Sequence, residues 1–244
     1  MQHSNFHTIK FISVITIIVS FILSLASTKL GPIQDRNIEI DQKRNILKSI
    51  GLDISSYNEN NIINEYKSRI KNIILDLKGN LITNINHADL KLIENNQTGQ
   101  ISYFHDQSEY LLAYESLDPS AFIIPISGKG LWSTLYGYFA LQDDYNTVNG
   151  ITFYEHGETA GLGGEVEKKW FQDNFIGKKI YNNDDELVSI KVVKGKASDV
   201  LNDEFIKHGV DGISGATITS NGVTNFLLRD LKRFKIFFDK KRTY

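Results

Sequence analysis

The chain has 244 residues, enough for one domain of about 200 residues with an appendage, or for two small domains, and ample for a real core. A hydrophobic fraction of 41% with 11% aromatics excludes disorder, and 27 Lys and Arg against 29 Asp and Glu leave a formal charge of -2, which argues against a nucleic-acid partner. Without cysteine there is no disulfide, thiolate zinc site, cysteine-held iron–sulfur cluster or thiol nucleophile, and one methionine removes most haem-thioether options. Any redox role therefore needs an organic cofactor.

Phe11 to Thr28 are uncharged and lie between Lys10 and Lys29; as a helix they reach roughly 27 Å, barely a bilayer. We read residues 1–30 as a retained transmembrane anchor. A cleaved secretory signal stays open, because Ser24 and Ala26 have the small-x-small arrangement that a signal peptidase accepts. Ser13, Thr16, Ser20, Ser24 and Ser27 form one small polar stripe along this helix, which suits close packing against another membrane helix or is simply tolerated. Lys10 before the span and Lys29 and Arg36 after it leave the orientation undecided. Either reading exports the rest of the chain.

Residues 31–55 read as a juxtamembrane helix and linker: Arg36 to Ile50 follows Pro32, carries Ile38, Ile46, Leu47 and Ile50, and ends at Gly51. The remainder, 56–244, reads as one exported domain. Ile62, Ile63, Tyr66, Ile70, Ile73, Ile74 and Leu77 recur at spacings of three and four and predict a helix closed by Gly79. An Asn-rich run at 58–64 is a loop or the start of that helix. Strands are predicted at 110–115, 121–126, 135–141, 151–155 and 187–193 from their aromatic and β-branched content. A last helix, 220–238, places Val223, Phe226, Leu227, Leu231, Phe234 and Phe238 on its apolar face and Arg229, Lys232, Arg233 and Lys235 on a basic face read as solvated. The expected class is α+β: a mixed, largely antiparallel twisted sheet with flanking helices, preceded by one N-terminal transmembrane helix.

Eight of the eighteen glycines fall between Gly128 and Gly164, six of them in two clusters, G-K-G-L-W-S at 128–133 and H-G-E-T-A-G-L-G-G-E at 156–165. Backbone can approach a ligand closely there, although such loops are also common strand connections. Neither is a G-K-[ST] phosphate loop, G-x-G-x-x-G is absent, and the six histidines lack metal-ligand spacing, so no metal site is expected and His156 and His208 read as local hydrogen-bonding residues. D-G-I-S-G-A-T-I-T-S at 211–220 immediately precedes the last helix. It is either a turn with Ser and Thr caps or a place where a phosphate on Thr217 or Ser214 meets unpaired amides and the positive end of a helix dipole, with Gly215 and Ala216 leaving room.

This last segment resembles the acceptor motif, Asp-x-x-Ser/Thr-Gly-Ala-Thr, of proteins that carry FMN through a phosphoester on the final Thr. The resemblance implies that Thr217 is the attachment point, with Asp211, Ser214, Gly215 and Ala216 completing the motif, and that a flavin transferase consuming FAD with Mg2+ acts in maturation. P-I-Q-D-R-N at 32–37, N-I-L at 45–47, G-K-G-L-W-S-T-L-Y-G-Y at 128–138, the 156–165 stretch and S-G-A-T-I-T-S at 214–220 fall in the order seen in the C-subunit family of Na+-translocating NADH:quinone reductases, and the likeness covers nearly all of the chain beyond residue 30. Ala160 stands where that family usually has Pro in the E-T-P-G-L-G turn, which loosens φ at one loop position.

The resemblance further implies a single-pass protein of the bacterial inner membrane, its soluble domain on the periplasmic side, relaying electrons among the other components of the complex, B, D and E in particular. Nothing in the residues marks a sodium, NADH or quinone site, and no residue is expected to be catalytic. Both glycine clusters are expected to fold onto the flavin. Leu131 and Trp132 beside Gly130, or Leu162 beside Gly163, would give apolar cover, with Trp132 alternatively a core residue; the amides near Thr159 and Gly161 would meet polar edges, Glu158 is counted among the cofactor-binding residues, and Thr219 and Ser220 would serve in helix capping. Two other readings stay open, a G-type component of an Rnf electron-transport complex or another covalent-FMN carrier, and a membrane-tethered non-catalytic binding domain.

Overall fold

The computed structural model describes residues 5–242; the outermost ends of the expected anchor (1–4) and of the expected exported domain (243–244) lie outside the described residues. The chain divides into two compact units, Met1–Gln42 and Lys43–Tyr244. Helix α1 (Asn5–Ser49) supplies the described part of the first unit. Its apolar stretch, with a mean hydropathy of 2.4 over the best window, is long enough to cross a membrane, and its large side chains from Phe6 to Ile33 are exposed. The sequence predicts a separate helix after Pro32, whereas α1 runs through that proline. Proline already holds a helical φ and removes one bond of the ladder, a loss that membrane helices tolerate. The helix stops where the glycine signal predicts: Gly51 has φ +83°, and its amide donates to Lys48 O at 2.9 Å.

The second unit opens with the last turns of α1, where Ile46 and Leu47 are buried, as is Ile50 just past the helix. The Thr152 hydroxyl donates to Asn45 O at 3.1 Å. Helix α2 (Glu59–Arg69) starts at Asn58, whose side chain accepts from Asn61 N. The 62–77 periodicity misleads beyond Arg69, since Ile70–Leu75 is strand β1. Isoleucines spaced three and four apart serve either period. What decides here is the partner strand, because Ile73 and Ile74 are paired with Ala113 and Leu112 and buried.

β2 (Lys91–Glu94), β3 (Ile101–His105), β4 (Ser108–Leu117), β5 (Ser120–Lys129), β6 (Thr134–Leu141) and β7 (Val148–Glu155) form an antiparallel sheet in chain order, with β1 added on β4. The predicted strands at 110–115, 121–126, 135–141 and 151–155 lie inside β4 to β7. The predicted 187–193 strand shrinks to β8 (Lys191–Val192), which pairs in parallel with β9 (Gly209–Val210). Short helices α3 (Lys169–Asp173) and α4 (Ala197–Val200) lie between, and α5 (Thr217–Arg242) closes the chain.

All six residues of the predicted apolar face of α5 are buried against the sheet, in one core with Phe122, Ile124, Phe139 and Phe153. A Cβ on Gly128 would come within 2.3 Å of Phe226, so the helix crosses β5 at a glycine. The basic face is not simply solvated. The Arg229 guanidinium donates to Ser127 O, and Arg233 reaches Ile101 O at 3.0 Å and the Glu109 carboxylate at 2.6 Å. These long side chains bend back over the sheet and satisfy its carbonyls. Asp230, 5% exposed, accepts from Ser127 N at 3.0 Å and pairs with Arg229, which fixes the height of α5 on β5.

Candidate functional site

Thr217 is the first residue of α5 and is exposed. The approach to it is a tight turn in which Ala216 N donates to Ile213 O at 3.1 Å, and the helical ladder begins only with Ser220 N to Ala216 O at 2.9 Å. The amides of Thr217, Ile218 and Thr219 therefore lie ahead of the ladder, at the positive end of the dipole. Gly215, with φ +73°, makes the turn possible.

Thr217 opens onto a cavity of about 460 Å3 whose walls include Val193, Lys194, Gly195, Ser214 and Ser220. This wall comes from a neighbouring segment tied to the motif. Gly212 N donates to Gly195 O at 2.8 Å, Ala197 N donates to Asp211 Oδ1 at 2.7 Å, and a Cβ on Gly212 would collide with Val193 O at 2.0 Å. Asp211 thus holds 194–197 beside Thr217. Among the described residues, Lys194 is the single charged residue lining this cavity. Ser220, 4% exposed, lines it too, and its Oγ is a buried hydroxyl with no hydrogen-bond partner among the described residues. Neither was legible from the sequence as part of a cavity. Lys194 stood inside the run K-G-K at 194–196, whose only signal was charge, and Ser220 was expected to cap. Ser220 and Thr219 lie inside α5 rather than ahead of it, so neither is an N-cap, and the Thr219 hydroxyl is committed elsewhere.

The two glycine clusters converge on one carboxylate. Glu158, 8% exposed, accepts at Oε1 from Trp132 N (2.8 Å) and Ser133 N (3.1 Å) and at Oε2 from Leu131 N (3.2 Å) and the Thr219 hydroxyl (2.5 Å). Burial pushes its pKa up, but the hydrogen bonds from Thr219 and the three amides outweigh this and hold it below the ordinary glutamate value. Gly130 and Gly163 make room, since a Cβ on either would approach the carboxylate oxygens to 2.7 and 2.5 Å. Thr159 O accepts from Leu162 N and Gly164 N at 3.1 and 2.9 Å, which pins the turn containing Ala160 and Gly161.

Leu162 lies directly over Gly215, where an added Cβ would meet its Cδ2 at 2.7 Å. Trp132 is 73% exposed, which overturns its alternative reading as a core residue. Leu131, Leu162 and Ile218 are exposed as well. His156 Nδ1 accepts from Glu158 N at 3.2 Å, a local bond as expected, whereas His208 Nδ1 lies 2.5 Å from Lys179 O, twenty-nine positions away. Among the described residues no group of His, Cys, Asp and Glu could hold a metal ion.

A concave cavity of this volume, with apolar walls, one cation, an orphan hydroxyl and a helix N-terminus, suits a flat organic ligand bearing a phosphate. Residues 130–232 match the FMN-binding domain family. The chain is 35% identical over 231 residues to the C subunit of the Na(+)-translocating NADH-quinone reductase of Haemophilus ducreyi, covering 89% of this chain and 86% of that one. It is 36% identical over 244 residues to the corresponding C subunit of Vibrio alginolyticus, covering 93% and 91%. A crystal structure of the C subunit from Parabacteroides distasonis superposes with a TM-score of 0.68 at 28% identity, over 86% of this chain and 96% of that one. The protein is thus of the FMN-binding class. Within it, the chain belongs to the family of C subunits of Na+-translocating NADH-quinone reductases.

Proposed function

We infer that this chain is the membrane-anchored flavoprotein component of a Na+-translocating NADH-quinone reductase, and that it carries FMN as a phosphoester on Thr217. The observation that carries this reading is the placement of an exposed Thr217 in the lining of the cavity, on the first turn of α5. Attachment transfers the FMN phosphoryl group of FAD to Thr217. The Oγ–P bond forms, the pyrophosphate P–O bond breaks, AMP leaves and the hydroxyl proton passes to solvent. A flavin transferase with Mg2+ performs this step during maturation.

Bound FMN supplies reversible electron transfer that no side chain of this chain can. The amides ahead of the α5 ladder and the Lys194 ammonium would balance the phosphoester charge, and the Ser220 hydroxyl, otherwise orphaned, would gain an acceptor. Leu162 and the Leu131–Trp132 pair offer apolar cover. A covalent carrier suits so open a site, since a dissociable flavin would escape during turnover. Electrons would arrive from an iron–sulfur centre in neighbouring membrane components and leave toward quinone through a second covalent FMN in the B component. The anchor lies in the bacterial inner membrane with the domain on its periplasmic side.

The test is coexpression with the flavin transferase followed by denaturing electrophoresis. Wild-type protein should keep flavin fluorescence, and Thr217→Ala should lose it while melting as a folded protein. Full fluorescence in folded Thr217→Ala would overturn the assignment.

A further inference from the structure

The carboxylate at which the two glycine clusters meet has no acceptor capacity left for a ligand. An ionised carboxylate offers about four lone-pair sites, and each Glu158 oxygen accepts two hydrogen bonds from the protein, Oε1 from the amides of Trp132 and Ser133 and Oε2 from the Leu131 amide and the Thr219 hydroxyl. The group is 8% exposed. Three stretches far apart in sequence therefore end on one side chain: the turn after β5 that presents Leu131 and Trp132, the loop after β7 that carries Glu158 itself, and the first turn of α5 that begins with Thr217.

The packing around it has no slack. Gly163 lies against both partners of the Glu158–Thr219 bond, where a Cβ would come within 2.5 Å of Glu158 Oε2 and 2.7 Å of Thr219 Oγ1, and Gly130 bears the same relation to Oε1 at 2.7 Å. The Ser133 hydroxyl closes the ring by accepting from Gly157 N at 2.6 Å. Trp132, by contrast, is tied in by its backbone amide and is itself 73% exposed. Three adjacent amides aimed at one carboxylate fix the direction in which that indole leaves the turn.

From this geometry we propose that Glu158 is the positioning residue of the flavin site: it makes no contact with the cofactor and instead locks the Leu131–Trp132 turn to the α5 turn bearing the attachment residue, through the Thr219 hydroxyl. The proposal rests on FMN attachment at Thr217. Glutamine at 158 keeps the shape but turns an N–H2 toward groups that are themselves donors, so one side of the lock opens. Valine at 219 keeps the volume and removes only the hydroxyl, whereas serine restores it.

The experiment uses the full flavinylated chain in detergent with Trp170→Phe as background, so that Trp132 is the sole tryptophan. Glu158→Gln, Thr219→Val and Thr219→Ser are compared by acrylamide quenching of Trp132, flavin fluorescence anisotropy and flavin midpoint potential. Faster quenching, lower anisotropy and a shifted potential are expected in Glu158→Gln and Thr219→Val, with wild-type behaviour in Thr219→Ser. If Glu158→Gln does not fold, the Thr219→Val and Thr219→Ser pair decides. Folded Thr219→Val indistinguishable from the background on all three readouts overturns the lock. A background protein without covalent flavin refutes attachment at Thr217 instead, and the quenching comparison then still decides whether the lock exists.

Discussion

Leu162 presses on Gly215 so closely that a Cβ at Gly215 would lie 2.7 Å from Leu162 Cδ2, at a position whose φ is +73°. Gly215→Ala meets both obstacles at once. A left-handed φ disfavours an L residue by about 1–2 kcal/mol, and the contact adds overpacking of about 1–3 kcal/mol unless Leu162 moves. Since Leu162 is exposed it can give way, so the expected loss is about 2 kcal/mol in urea unfolding. Flavin per chain should fall as Thr217 shifts. Wild-type stability and loading together would rule out a tight turn at Gly215.

Trp132→Ala and Leu162→Ala test the apolar cover. Both side chains are exposed, so each change should alter stability by no more than about 0.5 kcal/mol. Flavin emission or midpoint potential should nevertheless change, because water gains access to the ring. Unchanged values in both variants would remove these residues from the flavin site.

Asp230 predicts a pH signature unrelated to the flavin. Burial pushes its pKa up to about 6, against the opposing pull of Arg229, the Ser127 amide and Arg233. An unfolded aspartate titrates near 3.8, so between these values the folded chain holds a proton that the unfolded chain releases. This contribution is present in full below about pH 4 and is lost as pH rises through about 6. Its size is at most about 3 kcal/mol. Stability measured by urea from pH 4 to 7 should therefore fall more steeply with rising pH in wild type than in Asp230→Asn. Parallel curves would contradict it.

The sheet was legible where aromatic and β-branched residues cluster, and β4 to β7 contain the strands read from those runs. β2 and β3 escaped because the polar turn N-N-Q-T-G-Q between them hides two short strands. At Ile70 to Leu75 the sequence supports two periods, and only the remote β4 chooses. At the site, the turn before α5 was legible because its setting is local, a glycine with φ +73° at 215 followed by the helix that Thr217 begins. The tie from Thr219 to Glu158 spans sixty-one positions and left no local trace, nor did the cavity wall at Lys194. Gly130 and Gly163 were noticed as places of close approach, but what approaches them is a protein carboxylate.

The polar stripe of α1 gives a prediction for assembly. Interhelical hydrogen bonds of this kind average about 0.6 kcal/mol each, so single changes should do little. Replacing Ser13, Thr16, Ser20 and Ser24 together with Leu keeps the segment apolar. Membrane insertion should persist while copurification of the other components of the complex drops. Their undiminished recovery would make the stripe incidental, and a mature N-terminus at Ser27 would identify a cleaved signal.

The most direct test of the account is mass mapping of the flavin on protein purified from membranes that contain the flavin transferase. Proteolysis and fragmentation that preserves phosphoesters should place one FMN on Thr217, with Ser214, Thr219 and Ser220 unmodified. FMN found on Thr219 or Ser214, or a chain of unmodified mass from membranes with active transferase, would contradict it.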